Sequence, residues 1–496
     1  MSKSNFFSKA VAMAMILLGL TFVSCDKFDN PLPSAWDGVT PNLPLTLEAV
    51  DDGATMNVTF TSTLPKVTVI QYSTDGGQSW KYFTISGGKP RYGSSTLGAQ
   101  AARPARRTIS GVKQILIKAE NESYWSDETG DLTDCRAVDN RNLNISVDAD
   151  CYIYGNIMSL VGGEQFSTKT DLSGKCNFFG LFKGNANLKS HPTKQLLLPA
   201  TTLTENCYCD LFRDCTALTA APALPATKLA YNCYGTMFYG CTALTAAPEL
   251  PATELAKNCY QHMFIKCTAL TAAPTLPATE LADSCYWNMF SNCTALTTAP
   301  ELPATKLAEN CYGTMFYGCT ALTTAPELPA TKLANRCYYQ MFEGCTALTT
   351  APALPATKLA KGCYDCMFTG CVALTTAPEL PATELAEECY MWMFASCTSL
   401  TKAPVLPAKT LVSGCYNDMF YNCTNLNYIK CLATSIADGA SLFTFAWTDG
   451  VAGTGTFVCA DKTEYGSGKF WDPTLSHSSN KCEAPAGWTA KNPDEE

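Results

Sequence analysis

From residue 207 onward the hydrophobic positions fall into a strict period. The string Cys-Tyr-x-x-Met-Phe-x-x-Cys is written nine times between Cys207 and Cys423, each copy starting 26 residues after the last, with Leu211 the one departure from Met. With the first cysteine of a copy as position 0, the Cys, Met, Phe and Cys at 0, 4, 5 and 8 cover about 140° of a helix face at about 100° per residue. That spacing predicts a short amphipathic helix or helical turn. Each copy then continues, with small variations, as Thr-Ala-Leu-Thr-x-Ala-Pro-x-Leu-Pro-Ala-Thr-x-Leu-Ala. Its Leu, Ala and Leu at 11, 14 and 17 suit an extended segment turning a corner, and the prolines at 15 and 18 forbid a helix there. One short strand plus one helical turn per coil is the expected build. A unit this short cannot bury its own apolar face and must stack on copies of itself, so the repeats predict a solenoid.

Upstream the period changes to two. Residues 45–146 carry short alternating runs, Thr46–Val50, Asn57–Phe60, Val67–Tyr72, Lys81–Ile85 and Gln114–Ile117, split by Gly, Pro, Asp and Asn. These read as a small antiparallel, sandwich-like all-β domain. Within it, residues Ser73 to Trp80 match the Ser-x-Asp-x-Gly-x-x-Trp box of sialidase propellers and many other β proteins. A propeller would repeat the box blade after blade. This chain has one copy, which reads as hairpin turn chemistry around Asp75, Gly76 and Gly77.

Met-Phe-x-x-Cys-Thr-x-Leu followed by Pro-x-Leu-Pro resembles the BspA-type leucine-rich repeats of bacterial surface proteins, and the related repeat of mycoplasma lipoproteins. The resemblance runs from Asn177 to about Leu432. It implies that an aromatic residue, a small cysteine and a leucine point into the core of each coil, here Phe238, Cys241 and Leu244 in the second copy. It also implies a cell-surface role in adhesion or partner binding, with no catalytic residues to carry over. The unit here is a few residues longer than is usual in that family, and its first cysteine stands where an aliphatic residue is usual. Residues 147–206 read as a linker and an N-terminal cap coil, with Asn177 and Asn185 at the cysteine positions. Residues 207–440 hold the nine repeats, and residues 441–496 a strand-rich C-terminal cap.

The first 24 residues read as an address. Lys3 and Lys9 precede Ala10–Leu20, an apolar run too short to span a bilayer. The following Phe22-Val23-Ser24-Cys25 resembles the lipobox of bacterial lipoproteins. That likeness implies cleavage before Cys25 and acylation there, which would tether the chain to a membrane leaflet. Residues 25–44, with Pro31, Pro33, Pro41 and Pro44, then read as a tether. The expected location is the bacterial cell envelope, at the outer membrane and surface-exposed. Removing residues 1–24, which carry two lysines and no acids, takes the net charge from −9 to −11. That balance argues against nucleic acid as a partner and against an electrostatic grip on anionic lipid.

Of 27 cysteines, 18 belong to the repeats. On a helix, positions 0 and 8 would lie about 12 Å apart, beyond the reach of a disulfide, so buried reduced thiols are expected there. Cys135 with Cys151, and Cys459 with Cys482, are the better disulfide candidates. Cys363-Tyr364-Asp365-Cys366 is the one zinc-like spacing, and His191, His262 and His477 share none. Neither a metal nor a cofactor is expected, and no nucleophile stands beside a base.

Positions 0, 1, 5, 8 and 11 never change between copies, whereas 2, 3 and 6 do. On a helical turn those three are neighbours, so the coils stack them into one outward strip. The strip carries Tyr239, His262, Ile265, Trp287, Tyr317, Tyr339, Met391, Trp392 and Tyr421. Tyr239, Trp287, Tyr317, Tyr339, Trp392 and Tyr421 are the candidate ligand-binding residues, since aromatics in a row are enriched at interfaces. Drift among duplicated units would leave a similar record. A second strip, Glu249, Glu301, Glu327 and Glu379 at position 16, reads as a solvated acidic edge. The resulting expectation is a lipid-anchored, non-enzymatic adhesion or binding protein whose ligand is a host or microbial surface protein or glycan. A carbohydrate-capture lipoprotein serving a transporter is the alternative, and a glycan-acting enzyme the reading from a third class.

Overall fold

The computed structural model describes residues 41–63, 67–87, 104–119, 142–440, 447–474 and 482–495. The address segment, Cys25, most of the tether and Cys135 lie outside the described residues.

Eight strands build the N-terminal part: β1 Leu45–Ala49, β2 Met56–Ser62, β3 Thr68–Ser73, β4 Lys81–Ile85, β5 Ala105–Val112, β6 Gln114–Ala119, β7 Leu143–Val147 and β8 Cys151–Asn156. One sheet runs β8-β1-β6-β3-β4, the other β5-β2-β7, with every one of these pairs antiparallel. The alternation fixes which face turns inward, because a one-residue slip would carry every apolar side chain to water. Met56, Val58 and Phe60 of β2 are buried, as are Leu45, Leu47, Ile115 and Ile117 of the facing sheet. Phe60 meets Phe83 edge-on at 5.1 Å between ring centroids, which joins the two layers. The box at Ser73–Trp80 is the β3–β4 hairpin turn. Asp75 accepts from Ser73 Oγ at 2.7 Å and from Ser79 N at 2.9 Å, while Gly76 and Gly77 take positive φ.

The repeats form a solenoid of parallel coils with almost no helix, and the helical turn expected at positions 0–8 is replaced by another structure. In the third coil the N–H groups of Tyr260, His262, Phe264 and Lys266 bond the carbonyls of Cys285, Trp287, Met289 and Ser291 in the next coil, at 2.8–3.0 Å. The intervening N–H groups of Gln261, Met263, Ile265 and Cys267 bond three residues back, to Asn258, Tyr260, His262 and Phe264. The segment is therefore a ribbon of overlapping turns zipped sideways to its neighbour. A helix would keep every N–H within itself, whereas here half of them leave. Positive φ at positions −1, 3 and 7, as at Asn258, His262 and Lys266, also breaks any helix. The return side is looser, held by isolated parallel bridges at positions 13 and 21 such as Thr298↔Thr324 and Lys306↔Lys332.

Inside the coils, like stacks on like. In the fifth coil Cys311, Tyr312, Met315, Phe316, Cys319, Leu322, Leu328 and Ala330 are all buried. The phenylalanines form one column with rings 5.5–5.8 Å apart. The tyrosines form a second at 5.7–6.0 Å. Offset stacking of this kind contributes about 0.5–1.5 kcal/mol per pair beyond burial.

Both ends are closed by built contacts. At the N-terminal end Phe178 caps the tyrosine column at 5.3 Å and Phe182 caps the phenylalanine column. Asn185 at a cysteine position is explained by its neighbour: its Nδ2 donates to Ile145 O on β7 and its Oδ1 accepts from Val147 N. Two further strands, β9 Leu188–Ser190 and β10 Leu196–Leu197, pair parallel to β8. The β layers and the solenoid thus share one hydrophobic core. At the other end come β11 Lys402–Leu406, β12 Thr410–Leu411, β13 Tyr428–Cys431, β14 Ser435–Ile436, β15 Thr456–Cys459, β16 Trp471–Asp472, β17 Cys482–Glu483 and β18 Thr489–Lys491. The sheet β11-β13-β15-β18 is wholly parallel. Trp447 stacks on Tyr416 at 6.2 Å and tilts against Phe420 at 6.0 Å, so one indole closes both columns. The disulfide expected between Cys459 and Cys482 is not formed. Cys459 is in register with Cys431 and turns its thiol to the carbonyls of Asp461 and Lys491, while Cys482 lies on β17 beside Trp471. No helix among the described residues is long and apolar enough to cross a membrane.

Candidate functional site

The ribbon decides what faces outward. Positions 0, 1, 4, 5 and 8 turn in, and the pairs 2–3 and 6–7 turn out, so the variable side chains form a band along one side of the solenoid. The band is half-buried rather than open. Of the six candidate residues, Tyr317 and Tyr421 are the most exposed, at 36 % and 37 %, and Ile265 of the wider strip is buried at 8 %. The reason is that the large side chains lean on one another. Trp287 stacks on Tyr339 at 6.1 Å and 16°, although a whole coil separates them. Gly313 makes this possible, because a Cβ there would meet the Trp287 ring at 2.5 Å. Trp392 tilts against Tyr421 at 5.5 Å. Cations cover other faces: Arg213 lies 4.5 Å over Tyr239, Lys266 5.8 Å over the same ring, and Arg336 5.6 Å over Tyr339. Trp392 also holds φ +54°, unusual for a bulky residue, and is kept there by its N–H bond to Asn417 O at 2.8 Å.

Sequence reasoning missed a charged group within this band. Asp365, at position 2 of the seventh coil, is 98 % buried and accepts the Cys366 thiol at 3.1 Å. Burial pushes its carboxyl up to about 6. Burial likewise raises the carboxyl of Glu343 one coil earlier, and the hydroxyl of Tyr339 in that same coil. The available signal was an acid in a column otherwise filled by Cys, Gly, Gln, Trp, Tyr, Met and Asn. Cys363 and Cys366 do not act together. Cys363 sits in the interior column and Cys366 bonds Asp365, and no cluster of metal-ligating side chains occurs among the described residues.

The repeat thiols of the interior are all buried and none is in a disulfide. From Cys241 onward each position-8 thiol donates to the carbonyl of the phenylalanine in the preceding coil at 3.0–3.1 Å. Desolvation pushes the thiols of Cys259, Cys311 and Cys319 up to about 12, which suppresses the reactive thiolate. The four glutamates of position 16 are exposed on the return side.

Comparison with known proteins agrees with this geometry. A family model described as BspA type leucine rich repeat region matches in six copies, over residues 205–349 and 310–444. No curated protein and no solved structure matches the chain. The repeat region of this chain, residues 205–444, belongs to the BspA-type leucine-rich repeats.

Proposed function

We propose that this chain is a lipid-anchored binding protein of the bacterial surface, held through Cys25, and that the outer ribbon band takes a protein ligand. The observation that carries the reading is the pairing of an unchanging interior with a band of large, varied side chains held in place by their neighbours. Rings fixed before binding lose little conformational freedom on binding, and aromatic residues with arginine commonly dominate interface energy. The carbohydrate-capture alternative is less well supported. Sugar rings stack on aromatic faces, and here the faces of Trp287, Tyr239 and Tyr339 are turned to rings and cations of the protein itself. The family supports protein interaction and supplies no catalytic group, so no reaction is proposed.

The test is to screen residues 26–496 on a protein array and a glycan array, and to repeat the screen with Trp287→Ala, Tyr339→Ala and Trp392→Ala combined. Protein hits lost in that variant, but kept when Glu249 and Glu301 become Gln, would support the band. Because the three rings are half-buried, Arg213→Ala with Arg336→Ala is the second variant; it removes charge and leaves the aromatic packing. Hits confined to glycans, or unaffected by both variants, would overturn the reading. For the anchor, Cys25→Ala should leave the precursor unprocessed or free of membranes, and a soluble, processed wild-type protein would exclude it.

A further inference from the structure

We propose that the return side carries a second docking site, at the sixth and seventh coils, for an arginine on an extended segment of a partner protein. The column at position 16 reads Glu301, Glu327, Ala353, Glu379 along the coils, and all four residues are exposed. Where Ala353 interrupts it, a shallow open groove of about 370 Å³ appears. Its floor and walls are Ala351, Pro352, Leu354, Pro355, Pro378 and Pro381, with Glu379 on the rim. Glu327 and Glu379 flank Ala353 two coils apart, about 10 Å at strand spacing. Neither forms an ion pair with another described residue.

An apolar groove with the free carboxylate of Glu379 on its rim, and that of Glu327 one coil beyond Ala353, fits one common side chain best. The stem of an arginine covers alanine, leucine and proline surface while its head stays at the rim. Its planar guanidinium, with five donors and weak hydration, can pair in a fork with the rim carboxylate of Glu379 and lean toward Glu327, which a compact ammonium does less well. The groove lies at the small end of ligand sites, about 300–1,000 Å³, and is too open to enclose a free small molecule. The occupant is therefore anchored by the rest of a partner chain. Prolines at 15 and 18 offer no N–H to a strand, so recognition here rests on side chains and not on main-chain pairing. The site is independent of the ribbon band.

The probe is a fluorescein-labelled peptide of alternating arginine and glycine, followed by anisotropy at low salt against residues 26–496. Its citrulline counterpart, which has no charge, is the control. Binding of the arginine peptide alone is expected. Glu327→Gln with Glu379→Gln should weaken it at least tenfold. Ala353→Leu fills the groove without changing charge and should weaken it about fivefold. Ala353→Glu separates the explanations: it completes the acidic column while filling the groove, so the groove requires weaker binding and diffuse attraction requires tighter binding. Trp287→Ala should leave the affinity unchanged. Tighter binding by Ala353→Glu, unchanged binding by Ala353→Leu, equal binding of citrulline, loss through Trp287→Ala, or no binding at all would each overturn the proposal.

Discussion

The two sides of one coil are held by different means. On the ribbon side, residues −1 to 8 send every second N–H to the next coil and carry the aromatic columns, so each unit is fixed to its neighbour at several points. On the return side, residues 12 to 21 meet the next coil through single bridges, and prolines set the bends. The contrast teaches where variation is tolerated and why. A ribbon whose backbone pairs sideways can change its outward side chains without loosening the stack. A return whose shape comes from proline can keep its outline with few bonds.

The sharpest way to break this contrast is Phe316→Ala. Phe316 is fully buried between Phe290 and Phe342, and its loss should cost about 3–5 kcal/mol in urea unfolding. Because coils support only their neighbours, native-state maleimide labelling should quicken at Cys293, Cys319 and Cys345 and stay slow at Cys151. Uniform quickening along the whole chain would mean that the zipper does not localise damage.

Next in size is Asp365→Asn. The Asp365 carboxyl sits at about 6 in the folded protein against an ordinary 3.8, facing Arg336, Cys366, Glu343 and Glu388. Between those values the folded form keeps a proton that the unfolded chain has released, so stability falls as pH rises from about 4 to about 6. The asparagine variant should lack that decline and be more stable at pH 8 by about 1–3 kcal/mol. Equal gains at pH 4 and pH 8 would show that the carboxylate is solvated after all.

Gly313→Ala should cost about 1 kcal/mol, since the new Cβ would displace the Trp287 ring from Tyr339. In a Trp287→Ala background the same change should be close to neutral. A full cost in both backgrounds would place the constraint in the backbone and not in the stack. The smallest effect belongs to the return side: Pro329→Ala, at an exposed position, should lose about 0.5 kcal/mol, chiefly through greater freedom of the unfolded chain. A loss above about 2 kcal/mol would erase the contrast between the two sides.

Much of the interior could be read from the period alone. Cys, Tyr, Phe, Cys and Leu at invariant positions, with Met or Leu at position 4, are the buried columns, and the one-copy box is the β3–β4 turn. The helix at 0–8 failed for a definable reason: residues 0, 1, 4, 5 and 8 lie on one face of a helix, yet the same set turns inward in a ribbon repeating every four residues. Over nine residues, 3.6 and 4 cannot be told apart by burial. The distinguishing signal was left-handed backbone. Gly240, Gly318, Gly344 and Gly370 recur at position 7 with Asn292 and Asn422, and Asn206, Asn232, Asn258 and Asn310 at position −1. In the band, Trp287 and Tyr339 were recognisable as outward residues, but their stacking across Gly313 was not, because it joins residues 52 apart through a missing side chain.

The closure by Trp447 separates length from identity. One indole completes the tyrosine and phenylalanine columns together, and Phe178 and Phe182 begin them, so neither end touches more than its adjacent unit. Whole 26-residue units could be added or removed between these ends without redesigning either, each lengthening the reach by about 5 Å. Copy number is then a dial on the span of surface presented, set by duplication of the gene segment rather than by change in any core residue.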